Sequence, residues 1–330
     1  MLQTKDIAVV ILNWNGKTLL EQFLPSVIKY SNDAKIYVAD NASTDDSVAF
    51  VSEHFPNVGL IQNLENGGYA KGYNLALQHV NKPLLCLLNS DIEVTENWLQ
   101  PVINEFNSNP DTAIIQPKIL DYKNKSCFEY AGAAGGYIDK YGYPFCRGRI
   151  FDTIEEDKGQ YNDTKDIFWA SGACFFIKSS VFKTLNGFDE SYFAHMEEID
   201  LCWRAFNTNH KSKYIGTSTV YHVGGATLSD TNPKKTYLNF RNSLFTLVKN
   251  TDKNVFARVI VRMILDGFAA FRFLLQLKPQ YLFAIFKAHG SFYMNLGRLL
   301  KQRKQLPKRS KYYQTNSIVW SYFIKKNKTF

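Results

Sequence analysis

Carboxylates gather at two places in the sequence where they could do chemistry. Asp91 ends the stretch Asn89-Ser90-Asp91, which follows the apolar run LLCLL. An acid at the end of a buried strand is costly unless it meets a cation, so Asp91 is a candidate metal ligand. Glu197 and Glu198 begin a predicted helix, and like charges this close raise one another's pKa, as a general base near neutral pH requires. The structural alternatives are a turn or cap for Asp91 and contact with the helix dipole for the glutamates.

Two further segments could contact a ligand. His222 follows a predicted strand and precedes Gly224-Gly225, which suits either a ligand or a structural histidine. The segment NGGYAKGYN (66–74) is rich in glycine and enters a helix that carries Lys71. Backbone amides at a helix N-terminus favour phosphate, although a plain turn and cap explains the same residues. The pattern is neither GxxxxGK[ST] nor GxGxxG, so it does not indicate a P-loop or a dinucleotide fingerprint.

The first half of the chain alternates strand and helix patterns. Apolar runs predict strands at 7–12, 36–39, 58–61 and 84–88, with helices at 18–30, from 43–46 to about 55, and at 70–79. This order indicates βαβ units and a mostly parallel sheet, in which ligands bind beyond the carboxyl ends of the strands. The polar clusters at 13–15, 40–45 and 89–91 fall at those ends. We therefore expect one site assembled from several loops.

The second half is less regular. Residues 122–165 show no clear period and suggest a β-ribbon with loops, followed by a strand at 168–177, a helix at 197–206 and a strand at 213–221. Residues 255–275 carry an apolar i, i+3, i+4 stripe. Charged residues at 258, 262, 266 and 272 interrupt every window long enough to cross a bilayer, so this helix is not predicted to span a membrane.

Charge is distributed unevenly along the 330 residues. The 39 Lys and Arg against 30 Asp and Glu give +9, but residues 251–330 hold 16 basic and two acidic residues, or +14, which leaves −5 for the rest. A basic tail on an acidic body indicates an anionic partner for the tail. Five Cys without a CxxC pair and an N-terminal apolar run too short for a signal peptide favour a reducing compartment without secretion.

Seven segments together resemble the family 2 inverting glycosyltransferases, especially their bacterial rhamnosyltransferase-like branch. They occur in the family's order as VVILNWNG (9–16), VADNASTDDS (38–47), NGGYAKGYN (66–74), LLNSDIEV (87–94), WASGACFFIK (169–178), GFDESYFAHMEEIDLCWR (187–204) and YHVGG (221–225). The resemblance implies an α/β GT-A fold, Rossmann-like with a mostly parallel central sheet, over residues 1–240. A C-terminal helical, basic extension over 241–330 would follow.

The resemblance also assigns roles by position. Glu198 matches the general base, with Glu197 as the alternative, because the family's usual Glu-Asp pair is Glu-Glu here. Asp91 matches the second acid of the DXD motif and would hold a divalent cation, Mg²⁺ or Mn²⁺, with His222 completing the site. The remaining matches fall into two groups: nucleotide-sugar contacts at Asn13, Asn15, Asp40, Asn41, Ser43, Lys71, Asn74, Asn89 and Ser90, and acceptor-side residues Trp169, Ser171 and Gly172.

These roles imply sugar transfer from a nucleotide diphosphate, UDP or dTDP favoured, to a lipid-linked or cell-surface glycan. The alternatives are a catalytically silent membrane-associated scaffold, a dinucleotide-dependent oxidoreductase and a nucleotidyltransferase; the last two lack their glycine-rich or basic phosphate loops. Residues 255–311 are predicted to bind the anionic inner face of the cell membrane from the cytoplasm. The alternative for this region is a helical cap that packs its apolar stripe on the catalytic domain. No nucleic-acid motif is visible.

Overall fold

The computed structural model describes residues 1–224 and 232–330. The first half follows the predicted alternation through strands β1 (Ile7–Asn13), β2 (Lys35–Asp40), β3 (Gly59–Gln62), β4 (Leu84–Asn89) and β5 (Ile92–Val94). Helices α1 (Lys17–Tyr30), α2 (Ser47–His54), α3 (Gly68–Ala76) and α4 (Gln100–Ser108) lie between or after them. The helix predicted at 70–79 ends earlier, because residues 77–79 tighten into a 3-10 turn.

The central sheet has nine strands among the described residues. It continues with β6 (Thr112–Asp121), β11 (Thr164–Ile167), β12 (Cys174–Lys178) and β13 (Lys211–His222), in the order β11-β13-β6-β12-β4-β1-β2-β3 with β5 beside β13. Strands β1, β2, β3 and β4 are parallel to one another, and β12 runs antiparallel between β4 and β6. The predicted mostly parallel sheet is confirmed.

Register places the polar strand ends at one level. Asn13 pairs with Asp40, and Leu12 pairs with Asn89, so the carboxyl ends of β1, β2 and β4 are aligned. β13 is parallel to β6 and brings His222 to the same edge. The strand predicted at 168–177 begins only at Cys174, and the preceding residues form a loop at this edge.

The irregular stretch predicted as a β-ribbon contains a second, four-stranded sheet. Its strands are β7 (Gly136–Ile138), β8 (Pro144–Cys146), β9 (Arg149–Ile150) and β10 (Thr153–Ile154), each antiparallel to the next. Gly136 pairs with Trp169, and a Cβ at Gly136 would come within 2.1 Å of the Trp169 ring. The small sheet therefore packs directly against the loop that precedes β12.

The C-terminal part is helical, as predicted. It follows α5 (Ser179–Thr184) and α6 (Glu197–Asn207) with α7 (Pro233–Asn250), α8 (Val255–Leu275), α9 (Pro279–Gln305) and α10 (Ile318–Phe323). α7 packs against α6, α8 and α9. The predicted domain boundary at 240/241 lies inside α7, which is continuous. No helix in 1–224 or 232–330 is long and apolar enough to cross a membrane.

The orientation of α8 differs from the cap alternative. Arg258, Arg262 and Asp266 are buried, whereas Ile264 and Phe268 are 55% and 67% exposed. Most of the apolar stripe therefore faces outward, although Val259 is buried, while Arg258, Arg262 and Asp266 face the protein. The pattern of residues 255–275 predicted the helix and its two faces, but the partners of each face come from elsewhere in the chain.

Candidate active site

The ends of β1 and β2 share a polar network. Asn13 Nδ2 donates to Asp40 Oδ1 at 3.1 Å and to Ser43 Oγ at 3.3 Å, and Asp40 Oδ2 accepts from the Ser43 amide at 2.9 Å. Asn15 Oδ1 accepts from the Thr44 amide at 2.7 Å. Asn13 and Asp40 are buried, and Asn13 Oδ1 has no hydrogen-bond partner. These predicted nucleotide-side residues form one hydrogen-bonded network with one unsatisfied acceptor.

Asn41 fixes the start of α3. Its Nδ2 donates to Asn66 Oδ1 and to the Gly68 carbonyl, both at 3.0 Å, while its Oδ1 accepts from Asn63 Nδ2 at 3.1 Å. A Cβ at Gly72 would lie 2.9 Å from Asn41 Nδ2, so only glycine lets the helix approach this closely. The Asn41 amide is therefore engaged with protein groups and positions the glycine-rich segment.

Lys71 and Asn74 lie on α3 but have different surroundings. Lys71 is partly exposed and forms an ion pair with Glu65. Asn74 is bonded at both ends of its amide: Oδ1 accepts from the Phe188 amide at 2.9 Å, and Nδ2 donates to the Phe188 carbonyl and to Glu190. Asn74 thus joins α3 to the segment before α6. Contact with a nucleotide stays a prediction for both residues.

Asp91 and His222 meet at the end of β4 and β13, as predicted. His222 Nε2 lies 3.1 Å from Asp91 Oδ1, and Val223 N donates to the Asp91 carbonyl at 3.1 Å. Burial alone would raise the pKa of Asp91, but the neighbouring imidazole outweighs it and the net shift is downward. Burial lowers the pKa of His222, but its carboxylate neighbours raise it to about 10 overall.

Glu129 completes this group and was missed by the sequence analysis. Its Oε1 lies 3.3 Å from His222 Nδ1, and its Oε2 accepts from the Ala131 amide at 2.5 Å. A Cβ at Gly224, where φ is +69°, would lie 3.0 Å from Glu129 Oε1. The last glycine of the 221–225 motif, Gly225, lies outside the described residues. Glu129 falls in the aperiodic stretch, so no pattern identified it.

The Asp91–His222 pair fits a divalent cation that a diphosphate also binds. Neither His222 ring nitrogen makes an aligned hydrogen bond, although both are buried. Within 1–224 and 232–330, no group of three or more His, Cys, Asp or Glu side chains is arranged to hold a metal alone. A cation with two protein ligands and phosphate oxygens matches this donor set. Histidine binds metal only when neutral, so the cation would replace the imidazole proton.

Ser90 and Asn89 lie beside the Asn13–Asp40 network. A Cβ at Gly16 would meet Asn13 Oδ1 at 2.4 Å and Ser90 Oγ at 3.6 Å, so the loops after β1 and β4 approach each other closely. The Asn89 amide donates to the Ala173 carbonyl at 2.9 Å, which links β4 to the loop before β12. The structure therefore brings the predicted nucleotide and metal residues together.

Glu197 and Glu198 lie at the N-terminus of α6. Burial first, and then the charge of Glu198, raise the pKa of Glu197 well above its ordinary value. Burial raises the pKa of Glu198 to about 7, against backbone hydrogen bonds that lower it. Glu197 is 4% exposed and its Oε2 has no hydrogen-bond partner, whereas Glu198 is half-buried. A half-buried glutamate with a pKa near neutrality has the properties of a general base.

The loop before α6 is strained where it presents this pair. Phe193, His195 and Met196 have φ values of 65°, 68° and 73°, and none of them is glycine. Such conformations persist where surrounding contacts hold them. The Phe193 carbonyl accepts from the Tyr69 amide at 2.8 Å, which ties the loop to the start of α3. The start of α3 thus holds in place the loop that carries the acidic pair.

A buried network of ion pairs anchors α6 to α7. Asp200 Oδ2 accepts from Arg204 Nε at 2.8 Å, and its Oδ1 lies 2.9 Å from Lys249 Nζ on α7. Lys249 also contacts Asp189 Oδ2 at 2.7 Å. Asp200 is fully buried, and its ion pairs support the helix. The C-terminal helices therefore fix the orientation of the catalytic candidates.

The predicted acceptor-side residues lie in the loop before β12, which we call the acceptor wall. Trp169 is buried, and its Nε1 donates to the Tyr137 carbonyl at 2.8 Å, so it shapes this wall from beneath. Ser171 Oγ donates to the Ala131 carbonyl, and the Gly172 carbonyl accepts from Tyr69 Oη at 2.7 Å.

The metal side and the base side of this wall are close in space. Ser171 Oγ donates to the Ala131 carbonyl, and the Ala131 amide donates to Glu129 Oε2 at 2.5 Å. Tyr69 Oη donates to the Gly172 carbonyl at 2.7 Å, and the Tyr69 amide donates to the Phe193 carbonyl in the loop before Glu197 and Glu198. Since Glu129 contacts His222 beside Asp91, the candidate base and the candidate metal ligands lie at one edge of the sheet.

A family profile described as glycosyl transferase family 2 matches residues 8–185, more than half of the chain. The chain belongs to this family. Its curated relatives include an N-acetylglucosaminyl-diphospho-decaprenol L-rhamnosyltransferase of Mycobacterium tuberculosis, 23% identical over 66% of this chain and 76% of the relative. A low-salt glycan biosynthesis hexosyltransferase, Agl10 of Haloferax volcanii, is 24% identical over 86% of this chain and 91% of that protein. The resemblance predicted from seven segments is confirmed.

The fold of this family 2 member matches solved GT-A glycosyltransferases. The structure of GalNAc-T7 with UDP, GalNAc and Mn²⁺ superposes with a TM-score of 0.58 at 16% identity, covering 75% of this chain and 48% of that one. The chain thus spans about half the length of that protein. At this identity the likeness establishes the fold alone, and it confirms the predicted GT-A class. It gives no support to the oxidoreductase alternative.

Proposed function

We propose that the chain transfers a sugar from a nucleotide diphosphate, UDP or dTDP favoured, to a hydroxyl group of a lipid-linked or growing cell-surface glycan. The observation that carries the proposal is the convergence of the Glu197–Glu198 pair and the Asp91–His222–Glu129 group at one edge of the sheet. The M. tuberculosis relative, by its name, acts on a diphospho-decaprenol sugar, which supports a lipid-linked acceptor.

The reaction proposed is a single displacement with inversion. Glu198 accepts the proton of the acceptor hydroxyl, whose oxygen bonds to the anomeric carbon while the bond to the diphosphate oxygen breaks on the opposite face. In this proposal Asp40, Asn13 and Ser43 hold the base and ribose, and Lys71 contacts the diphosphate after leaving its ion pair with Glu65. Asp91 and His222 would hold Mg²⁺ or Mn²⁺, which neutralises charge developing on the leaving diphosphate. The Mn²⁺ in the GalNAc-T7 structure supports this choice of cofactor.

Location and acceptor belong to the same proposal. We place the protein in the cytoplasm, peripheral on the inner face of the cell membrane, where nucleotide sugars and lipid-linked acceptors meet. The +14 charge of residues 251–330 supports an anionic surface.

A panel of nucleotide sugars, with Mn²⁺ or with a chelator, tests the donor and the metal. We expect one UDP- or dTDP-sugar to raise the melting temperature only with metal, because ligand binding stabilises the folded state. That donor should then be consumed when a polyprenyl-diphosphate sugar is added. Asp91→Asn should lose the metal-dependent part of both responses. Asp111→Asn, before β6 at the opposite edge of the sheet, is the control and should behave as wild type.

The silent scaffold remains the second candidate, and the same panel separates the two. A scaffold would bind a nucleotide sugar yet show neither transfer nor metal-dependent hydrolysis. If no nucleotide sugar stabilises the protein with any metal, the proposed donor class is wrong.

A further inference from the structure

The outward side of α8 and the first half of α9 present large apolar side chains to solvent. We define the insertion face as Ile260, Ile264, Phe268, Phe271, Phe283 and Phe286, each more than half exposed. Monomeric proteins rarely leave contiguous apolar surface of this kind uncovered. The four α8 residues recur at intervals of three or four, so they form one stripe along a helix of 21 residues, about 31 Å long.

The stripe is held outward by polar contacts on the other side of the helix. Arg262 Nε donates to Asp266 Oδ1 at 2.8 Å, and Tyr143 Oη donates to the same carboxylate oxygen at 2.7 Å. Arg258 donates to Asp252 and to Tyr312 Oη at 3.0 and 2.8 Å. Turning the stripe inward would break these buried ion pairs and leave charges without partners. The outward orientation is therefore built into the fold.

Exposed basic residues lie on or next to the two helices that carry the insertion face. Lys253 precedes α8, Arg272 lies on α8, Lys278 precedes α9 and Lys287 lies on α9. In residues 251–330 the only acids are Asp252 and Asp266, and the second is fully buried. A symmetric dimer through this face would bring two basic rims together, which like-charge repulsion opposes. An anionic lipid surface complements the rim and accepts the apolar side chains.

The insertion face is also joined to the acceptor side of the cleft. Arg262 Nη1 donates to the Tyr141 carbonyl at 3.3 Å, and Tyr143, which bonds Asp266, directly precedes β8 of the small sheet. Gly136 of the same sheet pairs with Trp169 in the predicted acceptor wall. A membrane at the insertion face would therefore be coupled through packed elements to the place where the acceptor is expected.

We propose that the insertion face lies in the interfacial layer of an anionic membrane, with α8 parallel to the surface and the basic rim contacting lipid headgroups. This deepens the proposed function by naming the surface on which the protein meets a lipid-linked acceptor. The link to that acceptor rests on the proposed function. The main attraction is apolar burial rather than charge. This distinguishes the proposal from a purely electrostatic anchor, because several tail cations bind protein groups, as Arg303 does with the Val248 carbonyl at 3.0 Å.

Sedimentation of the full chain with lipid vesicles tests the proposal. We expect binding to vesicles that contain phosphatidylglycerol, weaker binding to phosphatidylcholine alone, and binding that largely persists when salt is raised from about 0.1 M to about 1 M, since screening affects only the charged part. Ile264→Glu/Phe268→Glu should weaken partitioning about tenfold or more. Ser52→Glu, on the exposed side of α2, adds charge elsewhere and is the matched control.

Other outcomes overturn the proposal in distinguishable ways. Unchanged vesicle binding by the double variant, or loss of all wild-type binding at high salt, would assign the attraction to the basic tail alone. A wild-type dimer that the double variant abolishes, seen by light scattering without lipid, would assign the face to a second copy. Both glutamates replace exposed side chains, so the variant should unfold at the wild-type temperature, and Ile264→Ala/Phe268→Ala gives a milder test. Nucleotide-sugar stabilisation without vesicles reports on the proposed function independently.

Discussion

Replacing Glu198 with glutamine should abolish transfer and stabilise the fold at alkaline pH. Burial raises the pKa of Glu198 from 4.5 to about 7 in the folded protein. A raised folded-state pKa means that the stability present below the unfolded value, near 4.5, is lost as pH rises through about 7. Each unit corresponds to about 1.4 kcal/mol, so full ionisation costs about 3 kcal/mol. Water that reaches the half-buried carboxylate reduces this to about 2 kcal/mol.

Glu198→Gln removes that cost, because the amide is neutral at every pH. We expect its melting temperature to exceed that of wild type by roughly 4 °C at pH 8 and to match it below about pH 4. Its transfer rate should fall by about 10²–10⁴, the usual contribution of a general base. Calorimetry at the two pH values, with a transfer assay at pH 8, measures both effects. Glu53→Gln, an exposed carboxylate on α2, is the control and should change neither.

The same carboxylate fixes the pH dependence of the wild-type rate. A base must be deprotonated to act, so the rate should rise with pH through about 7. At about pH 5.7 it should be about one tenth of the rate at pH 7. Burial and the charge of Glu198 also raise the pKa of Glu197 well above its ordinary value. If Glu198→Gln is no more stable than wild type at pH 8, the carboxylate is not held at a cost and the argument from burial is wrong. Near-normal transfer by the variant would remove Glu198 from the role of base.

Three further predictions concern the groups that support the site. Lys249→Met should lower the free energy of unfolding by about 3–5 kcal/mol in urea titrations, because it leaves Asp189 and Asp200 buried without their shared cation. Burial would raise the pKa of Asp189 and of Asp200, but Lys249 outweighs burial and lowers both values. The stability that the ionised aspartates give the wild-type protein should therefore be present above pH 4 and be lost as pH falls below it, as thermal melts would show. Glu129→Gln should raise the Mn²⁺ concentration for half-maximal activity about 10–100-fold, by loosening His222, with the melting temperature nearly unchanged.

The sheet and its polar edge could be predicted because the determinants are local. Apolar β-branched runs fix where β1, β2 and β4 begin and end, and parallel pairing then aligns Asn13, Asp40 and Asn89 without further information. The meeting of Asp91 with His222 follows from the same rule applied to β13. Their specific roles in binding and catalysis stay predictions.

Glu129 could not be found this way, because its place depends on contacts distant in sequence. It lies in a stretch without hydrophobic period, and it reaches the site because its amide donates to the Ile119 carbonyl at the end of β6. Asn74 illustrates the converse. Its motif indicated a ligand contact, which stays a prediction, but did not indicate the bonds of its amide to Phe188 and Glu190, more than a hundred residues away.

The orientation of α8 shows why a periodic pattern alone leaves the facing of a helix undecided. An amphipathic stripe says that two faces differ, and burial of the apolar face is the ordinary outcome. Here Tyr143 supplies a hydrogen bond to Asp266, and Arg262 lies 3.7 Å from the centroid of the Tyr143 ring, so the polar face finds its partners inside the protein. The apolar face must then find its own partner outside. Tyr143, which holds the polar face of α8 inward, directly precedes β8 of the small sheet, and that sheet pairs with Trp169. The contact that leaves the apolar face exposed therefore also connects α8 to the acceptor wall.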